Sequence, residues 1–192
     1  RMDLLQAFSP DGRRVGWETW DGTHREDTSI VWENEGWTVV GDVGRERVQY
    51  VLRINALWHV RQFLLFRDLD EPDLWLGTDG AGRWGEVNGA HRPDLDGCVD
   101  LDLCCTPFGN TLPIRRLPLA VGDRTTIDVA RIDPETLDVR RVHRRYTRLA
   151  PRRWRVETED GDAAVEFEVD SYGVVTDVPD QWRRVTPSPA GA

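Results

Sequence analysis

Asp100 and Asp102 lie two residues apart in an alternating run, which puts both carboxylates on one face of a strand, roughly 7 Å apart. Such a pair suits hydrogen bonding to sugar hydroxyls, or general acid/base work on a sugar or phosphate ester. Bridged by Arg115, Arg116 or the arginines of 138–149, the same pair is a structural salt-bridge cluster instead. The strand runs into a loop that carries Thr106, Asn110 and Thr111, braced by Pro107 and Pro113, whose rings fix φ. Polar groups converging at a strand end can form the mouth of a ligand site. Thr, Asn and Pro are also ordinary turn and cap residues. Arg115 and Arg116 follow Pro113-Ile114, where the chain reads as extended, so at most one of them faces a cavity. A guanidinium fork there grips a phosphate or carboxylate head group, or closes the loop on carbonyls left unpaired around Thr106-Pro107.

Nine tryptophans are many for 192 residues. Indoles stack on sugar faces and line apolar tunnels, and they also fill curled sheets as core residues. Trp84, in the Gly-rich turn 80–85, is the one that reads as a ligand contact. Tyr146 lies on a strand with arginines on both faces, so one face is solvent or a polar cavity. His91, Cys98, Cys104 and Cys105 lack zinc-site spacing, and 94–97 lacks the closing Glu of a calcium loop. There is no G-x-S-x-G and no phosphate-cradling glycine loop. No metal and no cofactor are therefore expected.

The 25 basic residues, all arginine, stand against 34 acids, for a net charge of −9. That balance disfavours nucleic-acid and anionic-membrane binding, which need a positive field. The longest apolar stretches are only a few residues, against about 20 for a membrane span. Three cysteines, two of them adjacent, do not form a disulfide framework, and no signal peptide is visible. The expectation is a reduced, cytoplasmic protein, monomer or homodimer. A chain of this length buries about 70% of its unfolded surface and sustains its own core.

What must position these residues is strand almost throughout. Tyr50, Leu52 and Ile54 alternate with polar neighbours, as do Val99, Leu101 and Leu103, and Val165, Phe167 and Val169. Further strands are expected at 14–20, 28–33, 36–43, 58–66, 125–132, 138–149, 152–158 and 172–177. Ser9-Pro10-Asp11-Gly12, Asp21-Gly22, Asn34-Glu35-Gly36, Asp79-Gly80-Ala81-Gly82 and Tyr172-Gly173 supply the turns, and Glu159-Asp160-Gly161-Asp162 reads as a hairpin. Helix is limited to a turn or two near 112–117. Ten or more antiparallel strands must hide their edges, so the fold class is all-β, a single domain over 1–185 built as a strongly curled antiparallel sheet, roll or barrel. Residues 186–192 form a flexible tail.

The run "LDGCVDLDL" followed by "TPFGNTLPIRRL" resembles the signature of a bacterial family labelled putative glycolipid-binding. The resemblance extends to Gly36-Trp37, Tyr50-Val51-Leu52, Gly82-Arg83-Trp84, Arg145-Tyr146-Thr147-Arg148-Leu149 and 169–175. Gly109, where the family pattern has Ser or Thr, and Cys104-Cys105 depart from it. The resemblance implies a curled all-β fold, compared with carriers of lipidated proteins and complex lipids. Residues and resemblance together give the reading of a non-enzymatic protein that holds a lipid or glycolipid in an apolar pocket. Asp100, Asp102, Thr106, Asn110, Arg115, Arg116, Trp84 and Tyr146 would be its ligand contacts. The alternatives are a hydrolase using Asp100 and Asp102, or a structural or interaction protein.

Overall fold

Period-two alternation builds two sheets. The computed structural model describes residues 4–68, 70–86, 88–159 and 163–189. β1 (Arg13–Thr19), β2 (Arg25–Glu33), β3 (Gly36–Val43), β4 (Val48–Asn55), β5 (Val60–Phe66), β6 (Leu74–Thr78) and β7 (Trp84–Glu86) form an antiparallel meander. The second sheet holds β8 (Asp100–Leu103), β9 (Arg124–Ile132), β10 (Val139–Ala150), β11 (Arg153–Thr158) and β12 (Val165–Glu168), with α1 (Thr111–Arg116) between β8 and β9. β13 (Asp177–Val178) and β14 (Trp182–Val185) return to the first sheet, β14 pairing with β1. All these pairs are antiparallel except β8 with β9, which the crossover through α1 makes parallel.

Turn chemistry sets the registers. Asn34 and Glu35 both take positive φ, as a two-residue turn matched to strand twist requires, and Trp32 pairs with Trp37 across it. Irregularities in register interrupt β4–β5 and β10–β11, and such bulges add bend and twist. The inner faces of both sheets converge on one core, in which Trp17, Tyr50, Phe63, Trp84, Phe108 and Tyr146 are fully buried. The inside of the curl, where the sequence predicts an apolar ligand pocket, is filled by these side chains.

The strand expected at 172–177 opens as a turn, because Gly173 takes φ of 83° and Asp170 gathers the backbone N–H groups of Tyr172 and Val174; Val175 then bridges Val169 and Asp177 begins β13. β6, β7 and β14 escape the sequence reading: they are short, and their neighbours are rich in Gly, Pro and Asp. The helix expected near 112–117 is α1. β11 and β12 pair as a hairpin, while its expected turn residues Asp160, Gly161 and Asp162 lie outside the described residues, as do Arg1–Asp3 and 190–192. Within the tail, Ser188 donates its N–H to Asp27 at 2.7 Å and Arg25 donates to the Thr186 carbonyl at 2.8 Å.

Candidate functional site

At the seam where β12, the edge of one sheet, approaches β13 and β14, the edge of the other, lies a cleft of about 200 Å³. Its polar lining is Asp102 from β8, Arg131 from β9, Arg144 from β10, Thr158 from β11, Gln181 beside β14, and Thr106 and Asn110 from the loop after β8. Its apolar lining includes Val156 and Val165, neighbours on β11 and β12, with Phe167, Val178 and Trp182. Both faces of β10 carry arginines: Val142, Arg144, Tyr146 and Arg148 share the inward face, and Arg141, His143 and Arg145 on the other face are exposed to solvent.

Asp102 accepts from Arg144 Nη2 at 2.8 Å, and Asp100 is paired with Arg116. Asp100 is 1% exposed, and burial raises its pKa although Arg116 opposes the shift. Burial also works against the charge on Arg144, but Asp102 more than offsets it and holds the guanidinium above its ordinary pKa. Both acids are thus locked in arginine bridges, and neither is the free proton donor or acceptor that acid/base catalysis requires. The Tyr146 hydroxyl donates to Asn110 Oδ1 at 2.7 Å, so this buried phenol orients a cleft residue from behind. Gly109 presses on β8: a Cβ there would meet the Leu101 carbonyl oxygen at 2.9 Å and Asp102 Oδ1 at 3.0 Å, so a Ser or Thr at this position needs the loop to stand slightly farther from β8.

Behind Thr106 lies a group the sequence reading missed. Glu26 on β2 is 0% exposed, and its Oε2 accepts from Thr28 Oγ1 at 2.5 Å, Tyr50 Oη at 3.0 Å and Thr106 Oγ1 at 2.8 Å. Its Oε1 is buried without a partner. Burial raises Glu26 to about 7, against the pull of the three hydroxyls. Thr106 Oγ1 also accepts from the Phe108 N–H at 3.2 Å, so one hydroxyl ties the cleft loop to the core carboxyl. Tyr50 reaches Glu26 across Gly41, where a Cβ would sit 2.2 Å from the phenol ring.

The structure brings Asp102, Thr106 and Asn110 to the cleft, with Tyr146 behind them; Asp100 lies outside it, bridged to Arg116. Arg115 and Arg116 lie elsewhere. They are helical rather than extended, so both line a separate groove with Leu4 and Trp154. Arg115 Nη1 closes on the carbonyls of Gln6 at 3.0 Å and Tyr172 at 2.6 Å, not on those around Thr106-Pro107. Trp84 is a buried core residue on the opposite edge strand, its indole N–H donating to the Cys98 carbonyl at 2.8 Å. The cleft indole belongs to Trp182. No local signal marks it or Arg131, because both reach the cleft through strand pairings distant in sequence. Among the described residues no three His, Cys, Asp or Glu side chains gather into a metal-binding group. The three cysteines are free thiols, and burial pushes Cys98 up to about 12 and Cys104 to about 11.

With this geometry established, comparison with known proteins adds three findings. The family model described as "Putative glycolipid-binding" matches residues 14–184. The crystal structure of a DUF1089 family protein from Pseudomonas aeruginosa is similar with a TM-score of 0.72 and 31% identity, covering 93% of this chain and 95% of that one. No curated protein matches. The match spans nearly the whole described fold, from β1 to β14, and the chain therefore belongs to the family described as "Putative glycolipid-binding".

Proposed function

We propose that the protein binds, without converting it, the polar head of an amphipathic ligand of the glycolipid kind in the cleft at the sheet seam. The observation that carries this reading is one cleft lined both by charged and amide side chains and by a cluster of apolar and aromatic ones. A sugar ring has one face of C–H groups, which packs on the Phe167 and Trp182 side. Its rim of hydroxyls finds donors on Arg131, Arg144 and Asn110 and acceptors on Asp102. At about 200 Å³ the cleft is smaller than the roughly 300–1,000 Å³ of pockets for drug-sized molecules, so it suits a head group rather than a whole lipid. The alkyl part then continues along the valines of β11 and β12. Burial contributes about 0.8 kcal/mol per methylene that leaves water. The family's description agrees with a glycolipid ligand. The arginine-locked state of Asp100 and Asp102 favours binding over hydrolysis.

The test is native mass spectrometry of gently purified protein, with organic extraction of the same sample, for wild type and Trp182→Ala. The expected result is a stoichiometric adduct on the wild type that extracts into organic solvent and is depleted in the variant. An apo mass for the wild type, together with no binding of added octyl glucoside, overturns the reading.

A further inference from the structure

The second groove differs in chemistry from the cleft. It lies between the N-terminal Leu4 and Leu5, α1, the segment 117–119 and the hairpin of β10 and β11, and encloses about 260 Å³. Among the described residues its polar lining is Arg115, Arg116 and Arg148, with no carboxylate; the rest is Leu, Ile, Pro and Trp154. On a chain of net charge −9, this is a local patch of the opposite sign.

Arg115 is held without an acid. Its guanidinium carbon lies 4.8 Å from the centre of the Phe8 ring and 4.5 Å from that of Trp58, and Nη1 is taken by two carbonyls. No carboxylate among the described residues pairs with it. Asp170, the acid whose charge acts on Arg115, is already bridged by Arg13 at 3.3 Å and Arg184 at 3.2 Å. Burial accordingly lowers Arg115 to about 10. Arg116 is neutralised by Asp100, yet the Nε atoms of both arginines are buried without a partner. A half-buried guanidinium short of an anion, beside an apolar channel rimmed by a 77% exposed leucine, Leu4, is a receptor missing one component.

We propose that this groove is a second binding site, for a single-chain amphiphile with an anionic head. The carboxylate or phosphate sits on Nη2 of Arg115, since Nη1 is taken by two carbonyls and Nε is buried, and the alkyl chain runs along Leu4, Leu5, Leu117 and Leu119. Helical geometry makes this possible. The roughly 100° turn between consecutive residues lets Arg115 and Arg116 line one groove, where an extended chain would point them apart. The site stands independently of the cleft, whose polar lining mixes acids, amides and arginines.

The experiment is isothermal titration of the full chain with octanoate, decanoate, dodecanoate, monododecyl phosphate and decyltrimethylammonium, each below its micellar concentration. The expected result is one equivalent of anion bound, with affinity rising two- to fourfold per methylene, and no binding of the cation. Leu4→Asp adds a negative charge at an exposed position. It is expected to weaken dodecanoate at least tenfold with an unchanged melting temperature; Arg115→Gln is expected to weaken it as much, with a lower melting temperature because two carbonyls lose their donor. Trp182→Ala, which cripples the cleft, leaves dodecanoate binding intact. Tighter binding of dodecyl phosphate identifies a lipid phosphate as the head, and tighter binding of dodecanoate a fatty acid. No anion binding, equal binding of the cation, or full affinity in Leu4→Asp overturns the proposal; loss in Trp182→Ala moves the anion to the cleft and overturns it as well.

Discussion

The two sheets bury carboxyl groups by opposite means. In the smaller sheet Asp100 and Asp102 are met by Arg116 and Arg144, full positive charges set directly against them. In the larger sheet Glu26 is met by three hydroxyls, from Thr28, Tyr50 and Thr106, which supply hydrogen bonds but no charge. Neutral donors stabilise a carboxylate less than an arginine does, and the desolvation penalty remains. Glu26 is therefore left near neutrality, at about 7, while the bridged pair forms a fixed polar frame. Of the arginine-held acids Asp102 lines the cleft, and the hydroxyl-held Glu26 is joined to it through Thr106.

The largest expected effect breaks the charged side of this comparison. Arg116→Ala leaves a buried carboxylate without its cation and is expected to cost about 3–5 kcal/mol in urea unfolding. Adding Asp100→Asn should recover much of that loss, since it removes the stranded charge. A loss confined to a few tenths of a kcal/mol would mean that the bridge is incidental.

The hydroxyl side responds to pH. The folded value for Glu26, about 7, lies above its unfolded value of 4.5, so between those limits the native state keeps a proton that the unfolded chain releases. Stability from this group is fully present below pH 4.5 and falls as pH rises to 7, by about 3 kcal/mol in all. Glu26→Gln should flatten that fall in a series of urea titrations; any remaining slope in the same direction reports on Asp100, whose pKa is also raised.

Smaller effects sharpen the geometry. Gly41→Ala drives a methyl into the Tyr50 ring and is expected to cost about 1–3 kcal/mol by overpacking. Removing Tyr50 from Glu26 should also move the pH transition upward. Thr106→Val deletes one hydroxyl that both donates to Glu26 and accepts from Phe108 N–H, for about 1–2 kcal/mol. Thermal unfolding at pH 5 and pH 8 separates its two parts: the loss is larger at pH 8, where the carboxylate is ionised.

The arginine-held acids were legible in the sequence and the hydroxyl-held one was not. Asp100 and Asp102 stand in a clean alternation, and the salt-bridge reading of them names the arginines that the fold supplies. Glu26 sits in Arg25-Glu26-Asp27, a charged triplet that reads as the end of a turn, so the predicted strand begins at 28 instead of 25. Its partners at 50 and 106 are brought to it only by cross-sheet packing, which periodicity does not encode. The same blindness hides Trp182 and favours Trp84, since nine indoles share one chemistry and only tertiary position separates them. Arg115 and Arg116 were misplaced for a local reason: Pro113 suggests an extended chain, yet proline is tolerated in the first turn of a helix, where its missing N–H has no partner to lose.

The central claim, that the cleft takes a sugar-like head on its Trp182 side, is tested most directly by following the nine indole N–H resonances during titration with octyl glucoside below its micellar concentration. The account predicts a saturable shift of the Trp182 resonance, assigned through Trp182→Phe, with Trp17, Trp84 and the other buried indoles unmoved. A titration that leaves Trp182 unchanged while the ligand binds elsewhere, or does not bind at all, contradicts it.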